Sequence, residues 1–170
     1  MKQNGGGEGA AAYLKENVLF VLAANEPNVG ASTVTGPGRR PMIIINTRYK
    51  PSAPLSELAN ATVAHKIANE LVAKGAGHKV AVRAMGRSIM LHEFGHVLDD
   101  AVGGRMTNLL VGTVRQYAPS SKEAFVFVRN HISAYGASSP QEAAAEAYAL
   151  LASGRLPKAL RDWGDHAKGK

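Results

Sequence analysis

The stretch SIMLHEFGHVLDD, residues 88–100, places two histidines and a glutamate within five positions. On a helix, at about 100° per residue, His92 and His96 stand one turn apart on the same face. There both imidazoles can converge on one Zn2+ at bond lengths of about 2.0–2.1 Å. Glu93 points beside such a cation rather than at it. From that position a carboxylate can accept a proton from an activated water and later pass it to a leaving amine. This is the H-E-x-x-H arrangement of zinc peptidases.

Two histidines do not complete a catalytic zinc site, which needs a third protein ligand and one position left for water. The extended metzincin form requires Gly three and His or Asp six residues after the second histidine, and Asp99 and Val102 stand there. A distant side chain is the other solution, with Glu123, Glu142, Glu146 or His131 available. Glu142 and Glu146 are one turn apart in the alanine-dense stretch QEAAAEAYALLA, residues 141–152. Small residues there, and Gly95 on the other side, would let two helices approach closely. An interior glycine costs a helix about 1 kcal/mol, so close packing is a physical reason to keep one. The second carboxylate could then accept the other N–H of a ligating histidine and fix its tautomer. Competing uses exist: Ser139 could draw Glu142 into a capping box, and Glu146 could lie on a solvated face. Asp99, on the histidine face, either lines the cleft, holds a neighbouring side chain or is solvated.

These side chains need elements to position them. Periodicity and punctuation predict strands over 18–23, 42–47 and 79–84. Helices are expected over 10–16, 54–75, 87–101, 121–133 and from about 140 to 153, with a short terminal one after Leu156. Gly75, Gly103–Gly104 and Gly154 mark helix ends, while Ser120 with Glu123 and Ser139 with Pro140 mark starts. Residues 28–41, rich in Gly, Pro, Ser and Thr, read as a loop, and 109–117 fit strand or loop equally. On the 87–101 helix, Met90, Leu91, Phe94, Val97, Leu98 and Ala101 form the core-facing arc, leaving His92, His96 and Asp99 on the wetter one. The stretch MIIINTRYK from residue 42 is either an edge strand for pairing with an extended peptide or an interior strand. Of the remaining histidines, His65 reads as a helix-surface residue, His78 as a turn residue and His166 as part of a polar tail. With no internal repeat or second core, the expectation is a flexible lead-in over 1–9 and one α+β domain over 10–170.

HEFGHVLDD followed by ISAYGASSPQEAAAEAYALL resembles the catalytic domain of the anthrax lethal factor-like metallopeptidases and the related Pro-Pro endopeptidases. In that family a tyrosine, a glutamate seven residues later and a second glutamate four further on follow the histidine motif. Tyr135, Glu142 and Glu146 stand at those spacings. The resemblance covers about residues 87–151. It implies a zincin-like α+β fold in which a small sheet accompanies an active-site helix and a second helix carries the third zinc ligand. The implied roles are zinc ligands His92, His96 and Glu142, general base Glu93, and Glu146 as the carboxylate behind a ligand. Tyr135 would donate its hydroxyl to the oxyanion of the tetrahedral intermediate. The implied activity is that of a gluzincin-type zinc endopeptidase acting on a protein or peptide. Ala143 and Ala144 replace the bulky aromatic residues usual after the third ligand. Similar tyrosine–glutamate patterns occur in domains of phage structural proteins and secreted bacterial toxins. The alternatives are therefore a virion module that keeps the scaffold as an interaction domain, or a toxin's enzymatic domain. Either places the chain in a secreted or virion-associated setting, within a larger protein or assembly.

Bulk properties agree with one globular unit. The 170 residues are 45% hydrophobic and 19% charged, which is enough apolar content to build a core. The chain has no cysteine, which excludes disulfide frameworks, thiol catalysis and iron–sulfur clusters. The net charge of +7 would suit an acidic partner, but the basic residues are scattered and aromatics are only 6%. No nucleic-acid partner is expected on that basis. No apolar run approaches the roughly 20 residues of a membrane span, and the N-terminus lacks the pattern of a signal peptide.

Overall fold

The computed structural model describes residues 13, 16–24, 30–36, 38–48 and 61–168. The fold is α+β, with a small three-stranded sheet and predominant helix. Strands β1 (Leu19–Ala23), β2 (Ala31–Val34) and β3 (Met42–Asn46) form a sheet in the order β1-β3-β2. β1 runs parallel to β3 with Phe20 opposite Ile43, and β2 runs antiparallel with Thr33 opposite Ile43. The MIIIN segment is thus interior, because its isoleucines are flanked on both sides. Among the described residues the edges are β1 and β2, the latter within the stretch that composition alone reads as a loop. Its short ASTV run is β-capable at Thr33 and Val34, and pairing with β3 outweighs the flanking Gly and Pro.

Among the described residues six α-helices follow: α1 (Val63–Ala73), α2 (His78–Ala101), α3 (Arg105–Tyr117), α4 (Ser121–His131), α5 (Pro140–Ala152) and α6 (Arg161–Ala167). The expected helix over 10–16 and the start of the one over 54–75 fall largely outside the described residues. α1 begins where the Thr62 side chain accepts from the His65 N–H, and it ends at Lys74 with Gly75 beyond it at φ +83°. The capping box at Ser120–Glu123 is complete, with both reciprocal hydrogen bonds present. Glu123 is spent on that cap and its carboxyl is held below the usual range by the Ser120 hydroxyl and N–H.

Two segments differ from the sequence expectation. Residues 79–84 are the first turns of α2, not a strand. Val80 and Val82 alternate but are exposed, whereas Ala81, Met85, Ser88 and His92 are buried at helical spacing. Ala81 and Met85 pack on Ala64 and Ala68 of α1, and this packing overrides the local valine preference for strand. Residues 109–117 belong to α3, where Met106, Leu110 and Val114 form a buried stripe at helical spacing.

α2 lies between two cores. One side meets the sheet through Val97, Met90 and Phe94 against Val18, Ile43 and Ile45. The other contributes Leu91 and Leu98 to a helical core that contains Leu110, Ile132, Leu150, Leu160 and Trp163. Ala101 is exposed rather than core-facing, while His92 and Asp99 are buried. The expected wet arc is therefore covered, chiefly by α5.

The close approach of α2 and α5 has a clear steric cause. A Cβ at Gly95 would stand 2.8 Å from the Ala145 Cα and 3.2 Å from the Tyr148 Cβ. Glycine on one helix and the alanines of α5 on the other allow the backbones to meet.

Candidate metal centre

α2 and α5 present three ligand atoms to one point. His92 Nε2 and His96 Nε2 are 3.1 Å apart, and Glu142 Oε2 lies 3.1 Å from the first and 3.3 Å from the second. A tetrahedral ion with bonds of about 2.05 Å would separate its ligand atoms by about 3.3 Å, so the triangle has the dimensions of one face of such a site. Glu142 Oε2 is buried and has no aligned hydrogen-bond donor despite two imidazoles beside it. Three such atoms converging on one point are what a cation requires. His92, His96 and Glu142 could therefore hold a metal ion.

Each ligand is positioned by local chemistry. The i, i+4 spacing on α2 brings the two rings together edge to face, with centroids 4.7 Å apart. Ser139 caps α5 by accepting from the Glu142 N–H at 3.1 Å, with Pro140 in the first turn. The reciprocal half of a capping box is absent, and the Glu142 side chain turns to the histidines instead.

Glu146, only 3% exposed, stands behind His92 with Oε1 3.0 Å from its Nδ1. Its other oxygen accepts the Val63 N–H at 2.6 Å, at the start of α1. A carboxylate on Nδ1 leaves Nε2 free to ligate and fixes the ring. The hydrogen bond to Val63 adds a helix N-terminus, which suits a buried anion.

The titration of the metal-free site follows from this crowding. Burial disfavours the His92 cation, but Glu142 and Glu146 outweigh it and raise its pKa to about 9. Burial likewise opposes ionisation of Glu142, yet His92 and His96 hold its carboxyl at about 2.

The other predicted residues fall around the same cleft, a cavity of about 490 Å3. Glu93 is buried at 5% exposure and faces it beside the histidines. Tyr135 is half exposed on the rim, with its ring centroid 5.8 Å from that of His92. Partial burial, then the Glu142 carboxylate, push its phenol up to about 12, so it remains a hydrogen-bond donor at neutral pH. The Tyr135 N–H donates to Ala61 O at 2.8 Å, and the next residue's N–H to the buried Ser133 hydroxyl at 2.8 Å, which fixes the turn.

Asp99 lines the cleft but serves a different partner. Its carboxylate accepts the Thr107 N–H at 3.1 Å and the Thr107 hydroxyl at 2.5 Å, securing the first turn of α3. His131 is exposed and packs on Phe127, its centroid 4.4 Å away, so it belongs to α4 rather than to the His92–His96–Glu142 cluster. His65 is buried, not a surface residue: its Nδ1 is 2.8 Å from the Thr62 hydroxyl, and burial holds its pKa down. His78 opens α2 and His166 lies exposed on α6.

Sequence reasoning missed the opposite wall. Ser32 and Thr33 of β2 and Thr35 just beyond it line the cleft, and the Thr33 hydroxyl donates to Glu93 Oε2 at 2.5 Å. The β-branched pair in ASTV was the available signal, obscured by its Gly- and Pro-rich surroundings.

No family model, curated protein or solved structure matches this chain. The site's own chemistry must carry the functional reading. Among the described residues, no helix is long and apolar enough to cross a membrane.

Proposed function

We propose that this chain is a zinc-dependent endopeptidase of gluzincin type with a zincin-like fold, in keeping with its resemblance to the lethal factor-like metallopeptidases. The observation that carries the reading is the convergence of His92, His96 and Glu142 on one point, with Glu93 and Tyr135 facing the same cleft. A nitrogen- and oxygen-rich, thiol-free set of three suits zinc with one position open. Zinc held there supplies Lewis acidity, bringing a water's pKa toward about 7 and polarising the scissile carbonyl.

The chain's own groups do the rest. An extended peptide lies along the cleft, and its backbone pairs with the outer edge of β2. Glu93 accepts the proton of the attacking water and returns it to the leaving amine. Tyr135 donates its phenolic hydrogen to the oxygen that gains charge. Glu146 holds the His92 ring in the ligating tautomer.

A bare interaction scaffold would have no need for a buried Glu93 or for a phenol on the rim of the same cleft. The test is cleavage of a broad peptide library by the zinc-loaded native protein and by Glu93→Gln. The native protein should cleave and the variant should lose at least about 100-fold in rate, within the usual worth of a general base. Bound zinc without cleavage by the native protein would favour the virion interaction module instead.

A further inference from the structure

We propose that Thr33 is a positioning residue for the general base, holding the Glu93 carboxylate in its working orientation from the strand on which the substrate lies. This rests on the peptidase reading of the cleft.

Thr33 occupies a position where an ordinary strand would place an apolar side chain. It sits opposite Ile43, which is fully buried, and two residues after the buried Ala31. A hydroxyl there needs a partner, because a polar group left unpaired between sheet and helix loses its hydration without compensation. The partner is Glu93: the Thr33 Oγ1 is 2.5 Å from Glu93 Oε2 and also 3.3 Å from the Glu93 carbonyl oxygen. Among the described residues no other side chain donates to this carboxylate.

The arrangement fixes Glu93 more firmly than its own bonds would. A glutamate has three side-chain torsions, whereas threonine is stiff at χ1 and its backbone is locked into the ladder with β3. Engaging Oε2 leaves Oε1 as the oxygen free to take a proton. A base held by one oxygen cannot swing from the cleft, and misplacement of a reacting group by about 1 Å costs on the order of 100-fold. β2 thus has two tasks, offering its edge to the peptide and pinning the base beside that peptide.

Thr33→Val keeps the shape and removes the hydroxyl; Thr33→Ser keeps the hydroxyl. In the zinc-loaded protein, Thr33→Val should lower kcat about 10–100-fold. KM and the zinc Kd should stay within about twofold of native, and Thr33→Ser should recover most of kcat. An independent readout needs no turnover: thermal unfolding of metal-free native protein, Thr33→Val, Glu93→Ala and the double variant. A direct contact predicts a double-variant shift smaller than the sum of the two single shifts. Native kcat in Thr33→Val, or additive unfolding shifts, would overturn the proposal. A native protein that cleaves nothing would overturn the peptidase reading and this proposal with it.

Discussion

The two walls of the cleft are made of different material. The helical wall, from α2 and α5, presents long ionisable side chains locked by packing: His92, Glu93 and Glu146 are each less than a tenth exposed. The strand wall, β2 and the residue after it, presents short hydroxyl side chains at Ser32, Thr33 and Thr35 and a backbone edge unpaired among the described residues. One wall is built to fix charges in space, which needs rigidity on several sides. The other is built to receive a chain, which needs an open edge. Changes to the ligating side chains of the helical wall and to the carboxylate behind them should therefore act on the cation, and changes to the strand wall should spare it.

The largest expected effect is on proton competition within the helical wall. In the metal-free protein His92 is raised from 6.5 to about 9, so its charge stabilises the fold fully below pH 6.5 and ceases to as pH rises through about 9. Glu142 is lowered from 4.5 to about 2, so its contribution is present above pH 4.5 and is lost as pH falls toward 2. The metal-free site is thus most stabilising between these ranges, where a cation must displace the His92 proton. Zinc affinity measured by chelator competition should rise up to about tenfold per pH unit from pH 6.5 toward 9. A flat profile would show that no proton is displaced from His92.

A smaller effect separates the walls directly. Glu146→Gln should weaken zinc binding about 10–100-fold by disturbing the group behind His92. Ser32→Ala, on the strand wall, should leave zinc affinity within about twofold. Equal losses from both variants in the same titration would erase the distinction between the walls.

The smallest effect tests how the helical wall is assembled. Gly95→Ala places a methyl 2.8 Å from the Ala145 backbone, where no flexible side chain can give way. It should cost about 1–3 kcal/mol in metal-free unfolding, the usual range for overpacking. An unchanged denaturation midpoint would mean that α2 and α5 can part without cost.

The helical wall was legible in the sequence because its chemistry is periodic. His92, His96, Glu142 and Glu146 obey a four-residue rule, and the Gly95 and alanine pattern announces close packing. What periodicity cannot report is the far end of each contact. Nothing near Val63 marks it as the donor to Glu146, eighty-three residues away in sequence. Asp99 lies on the histidine face, yet its partner is Thr107 across a tight turn that only the fold reveals. The strand wall was hidden for a different reason. Four residues are too few for alternation to emerge from a Gly- and Pro-rich stretch, and β2 owes its strand state to pairing with β3. Likewise 79–84 shows strand-like alternation that the packing of α1 against α2 overrules.

X-ray absorption at the zinc edge of the reconstituted, desalted native protein tests the central claim most directly. One zinc per chain is expected, with two imidazole nitrogens and oxygen ligands at about 2.0–2.1 Å, and that signal should be lost in His96→Ala. Protein that retains no zinc, or a zinc shell without imidazole, would contradict it.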